Sequence, residues 1–160
     1  MPPTENLLPA AHPWRRFMGI IYEGVILFGV LWFFNYAFSA LTRFQGEPGM
    51  LRHAFQAFQV LILGTYFVYF WSCGRRSLPM KTMSLQLLTT QGEAVNVSRA
   101  TLRYVIALVL LLIPMALAYY IQGLLVLLVL LPFSWTVLDP DSQALYDRLA
   151  DTRLTVTPDK

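Results

Sequence analysis

Three long runs of apolar sequence constrain this chain more than any other feature. Residues 17–42 carry a single formal charge, that of Glu23, and residues 54–74 and 104–138 carry none. A helix needs about 20 apolar residues to cross the hydrocarbon core of a bilayer. Hydrophobic residues make up 56% of the 160 residues and charged residues 13%. A soluble domain of this size buries too little of its surface to hide so much apolar area. The sequence therefore predicts an all-α integral membrane protein.

The third run is too long for one crossing. Its 35 residues would form a helix of about 52 Å, whereas the hydrocarbon core is roughly 30 Å thick. Tyr119 to Gly123 offers a turn, since interfacial tyrosines precede a glycine there. We therefore predict a bundle of four transmembrane helices, at about 17–42, 54–73, 102–120 and 122–138. They lie in a domain of residues 14–156, between a flexible N-terminal tail (1–13) and a C-terminal tail (157–160).

The positions of the basic residues predict the orientation of these helices. With the N terminus in the cytoplasm, the cytoplasmic segments are 1–16, 73–103 and 139–160, which hold ten of the twelve Lys and Arg residues. The positive-inside rule expects such an excess. An odd number of crossings would move the last three basic residues outside. We expect the bacterial cytoplasmic (inner) membrane, with both termini in the cytoplasm. A cleaved signal peptide is the rival interpretation, but its apolar core would be too long and would contain an acid.

Two short elements are predicted on the cytoplasmic side. Apolar and polar residues alternate over 82–87 and over 95–98, on either side of a turn at 90–93. This pattern predicts a short β-hairpin against the membrane, with Ser98 as N-cap of the third helix. Asp139-Pro140-Asp141 predicts the start of a C-terminal surface helix, which would run through Leu149 and dock by its leucine side.

Glu23 is the sharpest candidate for function. A carboxylate within a membrane span is costly unless it is paired or protonated, and such residues are by default functional candidates. Arg16 lies two turns earlier on the same face, about 10 Å away along the axis, which is long for a simple ion pair. One interpretation is a proton or cation site. The other is a hydrogen bond that holds helices together.

Arg99 and Arg103 form a second candidate group. They share a face at the start of the third helix, where two cations repel each other and oppose the helix dipole. They therefore require anions, for which Glu23, Asp147 and lipid phosphates are the candidates. Anchoring to lipid explains the pair as well as a substrate site does.

Nothing in the sequence indicates an enzyme, a cofactor or a metal. The chain has no Gly-rich phosphate loop, no nucleophile elbow and no metal-ligand spacing of histidines or cysteines. Its basic residues lie beside apolar runs, unlike the basic face of a nucleic-acid-binding domain. The expected partners are the lipid bilayer and either a second copy of the chain or another membrane protein.

Four segments in order, beginning at Arg15, Gly74, Gln91 and Asp141, carry motifs that resemble those of the RDD family of bacterial membrane proteins. That family has an arginine at the start of its first helix and an aspartate within it, as Arg15-Arg16 to Glu23 nearly reproduces. The Gly74–Lys81 turn, the Gln91-Gly92 turn followed by Arg99 to Arg103, and the closing segment Asp141–Thr152 are similar to later family motifs.

The resemblance has departures and implies little about mechanism. Glu23 stands where the family has aspartate, Tyr146 where histidine is usual, and Pro79 and Asp151 where glycine is usual. The tyrosine removes a titrating partner and weakens a proton relay at that end. What the resemblance implies is transport of an unspecified ligand.

Two functions are therefore carried forward. The first is transport or exchange of an ion or small ligand, with Glu23 as the protonatable site and Arg16, Arg99, Arg103 and Asp147 as a charge cluster that gates or orients it. A bundle of four helices is narrow, so such a transporter would need to oligomerise. The alternative is a non-transporting membrane subunit that binds partner proteins or lipids at the cytoplasmic face.

Overall fold

The computed structural model describes residues 11–121, 123, 127–128 and 144–157. Its elements in chain order are α1 (Pro13–Thr42), α2 (Met50–Trp71), α3 (Leu78–Thr82), β1 (Leu85–Thr89), α4 (Val97–Tyr120), α5 (Leu145–Leu149) and β2 (Thr152–Val156). The helices α1, α2 and α4 coincide with the first three predicted spans. The fourth predicted span, apart from residues 123, 127 and 128, lies outside the described residues, and so does the predicted helix start at Asp139.

Three helices are long and apolar enough to cross a membrane: Trp14–Thr42, Met50–Trp71 and Val97–Tyr120. Their best windows have mean hydropathies of 2.0, 1.3 and 2.2, yet at most 17% of any window is buried inside the protein. Large side chains such as Phe28 and Trp32 of α1 point away from it. A helix that is apolar all round is stable only where its surroundings are apolar too. The chain is therefore a membrane protein.

The helix α2 lies between α1 and α4 and contacts both. Its contact with α4 depends on Gly64, because a Cβ atom at that position would lie 2.9 Å from the ring of Tyr104. The hydroxyl of Tyr104 donates a hydrogen bond of 2.7 Å to the carbonyl of Val60. Pro114 lies within α4, which continues to Tyr120, so this proline does not end the helix.

The predicted β-hairpin is wrong in its second strand. β1 pairs antiparallel with β2, in the register Leu85–Val156 to Thr89–Thr152. The chain does turn back after β1, where the amide of Gly92 donates to the carbonyl of Thr89 at 2.9 Å, but it forms only one bridge, between Leu88 and Ala94. A second strand has no room there because α4 already begins at Val97, with Asn96 rather than Ser98 as its N-cap.

The predicted orientation of the C-terminal helix is also wrong. Within α5, Asp147 is completely buried and Leu149 is 56% exposed, the reverse of docking by a leucine face. The cause is the pairing of Asp147 with two arginines, described below.

These elements divide the described chain into two ends. We call residues 11–16, 72–103 and 144–157 the polar end; α1 and α4 begin there and α2 ends there. It has a small core beneath the sheet, formed by Ala11, Met80, Leu85, Leu87, Val95 and Ala100. We call residues 38–58, where α1 turns into α2, the hairpin end.

Candidate functional site

The polar end is organised around the carboxylate of Asp147. Arg16 of α1 donates from Nη1 to Oδ2 at 3.0 Å. Arg103 of α4 donates from Nε to Oδ1 at 3.0 Å, and also from Nη2 to the same oxygen. The side chain of Asp147 is fully buried and both arginine side chains are 5% exposed. One acid of a five-residue helix thus joins the N-terminal parts of two membrane helices.

Arg16 also ties the start of α1 to the end of the chain. Its Nε donates to the carbonyl of Ala11 at 3.3 Å, and its Nη2 donates to the carbonyl of Leu154 in β2 at 3.2 Å. The amide of Ala11 donates to that same carbonyl of Leu154 at 3.1 Å. Arg16 thus reaches three separate acceptors with three nitrogen atoms. A lysine, which has a single ammonium group, could not make all three contacts in this geometry.

Arg103 contacts two aromatic rings. Its guanidinium lies 4.1 Å from the ring centre of Trp71 and 5.1 Å from that of Tyr146. Burial raises the pKa of Tyr146 to about 12; the carboxylate of Asp147 adds to this increase, and the nearby Arg103 and Arg16 oppose it. Attraction between the cation and the aromatic rings stabilises the planar guanidinium in this position.

Glu23 does not pair with an arginine. It accepts one hydrogen bond on each carboxylate oxygen, from the hydroxyl of Tyr66 at 2.6 Å and from the hydroxyl of Ser77 at 2.8 Å. Tyr66 belongs to α2, and Ser77 is the N-cap of α3, where its hydroxyl also accepts from the amide of Met80. Glu23 thus connects α1 to α2 and to the polar end.

A cavity of about 100 Å³ lies between Glu23 and the charge cluster. Its walls include Arg16, Glu23, Arg103 and Asp147, and its other lining residues are Gly19, Ile20, Phe67, Trp71, Met80, Leu85, Ala144, Tyr146 and Leu154. A single water needs about 10–15 Å³ of such volume, so the cavity has room for several waters or a small ion. Part of its wall belongs to the C-terminal segment 144–157.

The structure brings four of the five predicted site residues to this cavity, namely Arg16, Glu23, Arg103 and Asp147. Arg99 lies apart from them and pairs with Asp151 at 3.6 Å, with both side chains more than one-third exposed. An exposed pair of this kind contributes little to stability.

The hydroxyl partners of Glu23 were missed from the sequence. Ser77 had a readable signal, since a serine before Leu78-Pro79 suits an N-cap with proline in the first turn. Tyr66 had none, because a tyrosine within an apolar span is as easily an ordinary lipid-facing or packing residue. As for metals, no three His, Cys, Asp or Glu side chains come together in the described part of the chain.

Comparison with known families matches residues 10–151 to the RDD family. This confirms the resemblance inferred from the motifs. The matched range contains all four charged residues of the cavity, while β2 begins after its end. No curated protein and no solved structure matches the chain.

Proposed function

The chain belongs to the RDD family, and from this membership and the cavity we propose that it moves a proton together with, or in exchange for, a small ion across the membrane. The observation that supports the proposal is the position of Glu23. It lies on a membrane helix and lines the cavity together with Arg16, Arg103 and Asp147.

The partners of Glu23 suit a residue that changes protonation state. A hydroxyl group can donate to a carboxylate, and it can also accept from a protonated carboxyl group. Tyr66 and Ser77 can therefore satisfy Glu23 in both states by rotating their O–H bonds. An arginine partner, which only donates and carries a positive charge, would favour the ionised state.

The proposal includes the orientation and the crossing number. The polar end faces the cytoplasm, since ten of the twelve Lys and Arg residues belong to the segments predicted there. The sequence 122–138, which is uncharged, supplies a fourth crossing, so that both termini lie in the cytoplasm of a bacterial cell.

Flux through reconstituted protein tests the role of Glu23. Proteoliposomes that enclose a pH-sensitive dye are subjected to a salt gradient, and the change in internal pH is followed. The wild type should move protons, whereas Glu23→Gln should abolish the movement because the amide cannot carry a proton at neutral pH. Glu47→Gln is the matched control, since Glu47 is exposed in the loop between α1 and α2. Normal flux in Glu23→Gln would refute the proposal.

A non-transporting membrane subunit is the alternative. Two apolar side chains at the polar end favour a partner surface: Leu78 of α3 is 68% exposed and Leu149 of α5 is 56% exposed. Asp147 itself is buried, so it would support partner binding only by holding the C-terminal segment in place. Under this alternative a partner co-purifies in mild detergent and is lost when residues 139–160 are deleted. Isolation of the chain without any partner would count against it.

A further inference from the structure

The charges around the cavity balance only when Glu23 is ionised. Arg16 and Arg103 contribute two positive charges and Asp147 contributes one negative charge, and all three are almost fully buried. Glu23 supplies the second negative charge. Among the described residues that line the cavity, the charges therefore sum to zero with Glu23 ionised and to +1 with Glu23 protonated.

The other polar groups near the cavity do not change this balance. Tyr66 of α2 and Ser77 bind Glu23 as neutral hydroxyls. Tyr146 of the C-terminal segment is neutral below a pH of about 12. Lys81 of α3 is exposed to solvent and is not among the residues that line the cavity.

An uncompensated charge in a buried site is costly. Two kinds of ligand can accompany the protonation of Glu23. A cation that replaces the proton on Glu23 leaves the cavity at +1, whereas an anion bound together with the proton restores zero. We infer that the ion that moves with the proton is a small monovalent anion, an inference that rests on the proposed function and specifies its substrate class.

Arg103 offers a suitable site for such an anion. Asp147 shows that the guanidinium groups of Arg16 and Arg103 can bind a carboxylate. Its described hydrogen bonds use Nε and Nη2 of Arg103, so that within the described part of the chain Nη1 is left for a ligand. Guanidinium groups bind carboxylates and other oxyanions through several N–H bonds at once. The cavity of about 100 Å³ has room for a small anion such as chloride, nitrate or a short monocarboxylate.

The transport step balances in protons and charge. One proton binds a carboxylate oxygen of Glu23, one anion binds at Arg103, and both are released to the opposite side. The net movement is one proton and one anion in the same direction, and it carries no net charge.

Two opposed salt gradients distinguish this symport from cation exchange. In the first, N-methylglucamine chloride is placed outside proteoliposomes, so that only the anion is small. In the second, sodium gluconate is placed outside, so that only the cation is small. In each arm the internal pH is followed for the wild type, Glu23→Gln, Glu47→Gln and protein-free liposomes.

Anion symport predicts internal acidification with the chloride gradient, present in the wild type and Glu47→Gln and absent in Glu23→Gln. Internal alkalinisation with the sodium gradient, dependent on Glu23, would overturn the anion inference and leave the proposed function standing. No Glu23-dependent signal in either arm would overturn both.

Discussion

The polar end and the hairpin end hold membrane helices together by opposite means. At the polar end, Asp147 joins Arg16 and Arg103, which lie 131 and 44 residues away in the sequence, and all three are buried. At the hairpin end, Phe38, Phe44, Phe55 and Phe58 form a cluster with ring centres 5.1–6.3 Å apart. The polar end uses a few contacts between charged residues that lie far apart in the sequence. The hairpin end uses several contacts between uncharged rings that lie closer together in the sequence.

This difference separates the part of the molecule that contains the candidate site from the part that connects α1 to α2. Buried charges require their particular partners, because removing one leaves the other uncompensated. Apolar rings can be exchanged for other apolar side chains of similar volume at small cost. The cavity and its protonatable group lie beside the first kind of contact.

Removing the shared acid should produce the largest loss of stability. Asp147→Ala leaves two buried arginines without their anion, and breaking a buried ion pair costs about 3–5 kcal/mol. The free energy of unfolding, measured by SDS titration in mixed micelles, should fall by that amount. Arg99→Ala is the control, because the pair of Arg99 with Asp151 is exposed and its loss should cost less than about 1 kcal/mol. Equal losses of unfolding free energy in the two variants would contradict the claim that Asp147 stabilises the polar end through buried charge pairs.

The stability of the polar end should also fall at high pH. The pKa of Tyr146 is 10.0 in the unfolded chain and about 12 in the folded protein. A raised pKa means that the unfolded state releases its proton first, so this contribution is complete below pH 10 and is lost between pH 10 and 12. The shift corresponds to about 2–3 kcal/mol.

Tyr146→Phe isolates this effect, since phenylalanine keeps the ring beside Arg103 and has no proton to lose. Unfolding of both proteins is measured from pH 8 to pH 12. The wild type should lose stability relative to Tyr146→Phe only above pH 10. Parallel curves over the whole range would show that Tyr146 is not buried beside Asp147 as the structure places it.

Three of the four predicted spans were confirmed, whereas the pairing of the charged residues could not be predicted from the sequence. Hydropathy located α1, α2 and α4, because a crossing depends on local composition. The cost of charge in a membrane singled out Glu23. Helical spacing alone, however, does not show which of several anions an arginine will meet, so that Asp147 was only one of three candidates for Arg103.

The predicted partner of β1 was wrong for a related reason. Alternation correctly marked Leu85 and Leu87 as strand residues, but alternation does not name the partner strand. The nearer candidate, 95–97, was lost to the start of α4, and the actual partner β2 lies more than 60 residues away. Likewise, the leucines of α5 suggested an apolar docking face, and the ion pairs of Asp147 overrode it.

The hairpin end should tolerate substitution, and this is the smallest effect expected. Phe44 is 8% exposed and its ring contacts those of Phe38 and Phe55. Phe44→Leu keeps an apolar side chain there and loses mainly the ring-to-ring contacts, so it should cost about 1 kcal/mol. SDS titration of this variant beside Asp147→Ala measures the two ends on one scale. Because no charge is involved, the loss should be the same at pH 7 and pH 11, and proton flux should match the wild type. A loss as large as that of Asp147→Ala, or a change in flux, would show that the hairpin end is as specific as the polar end.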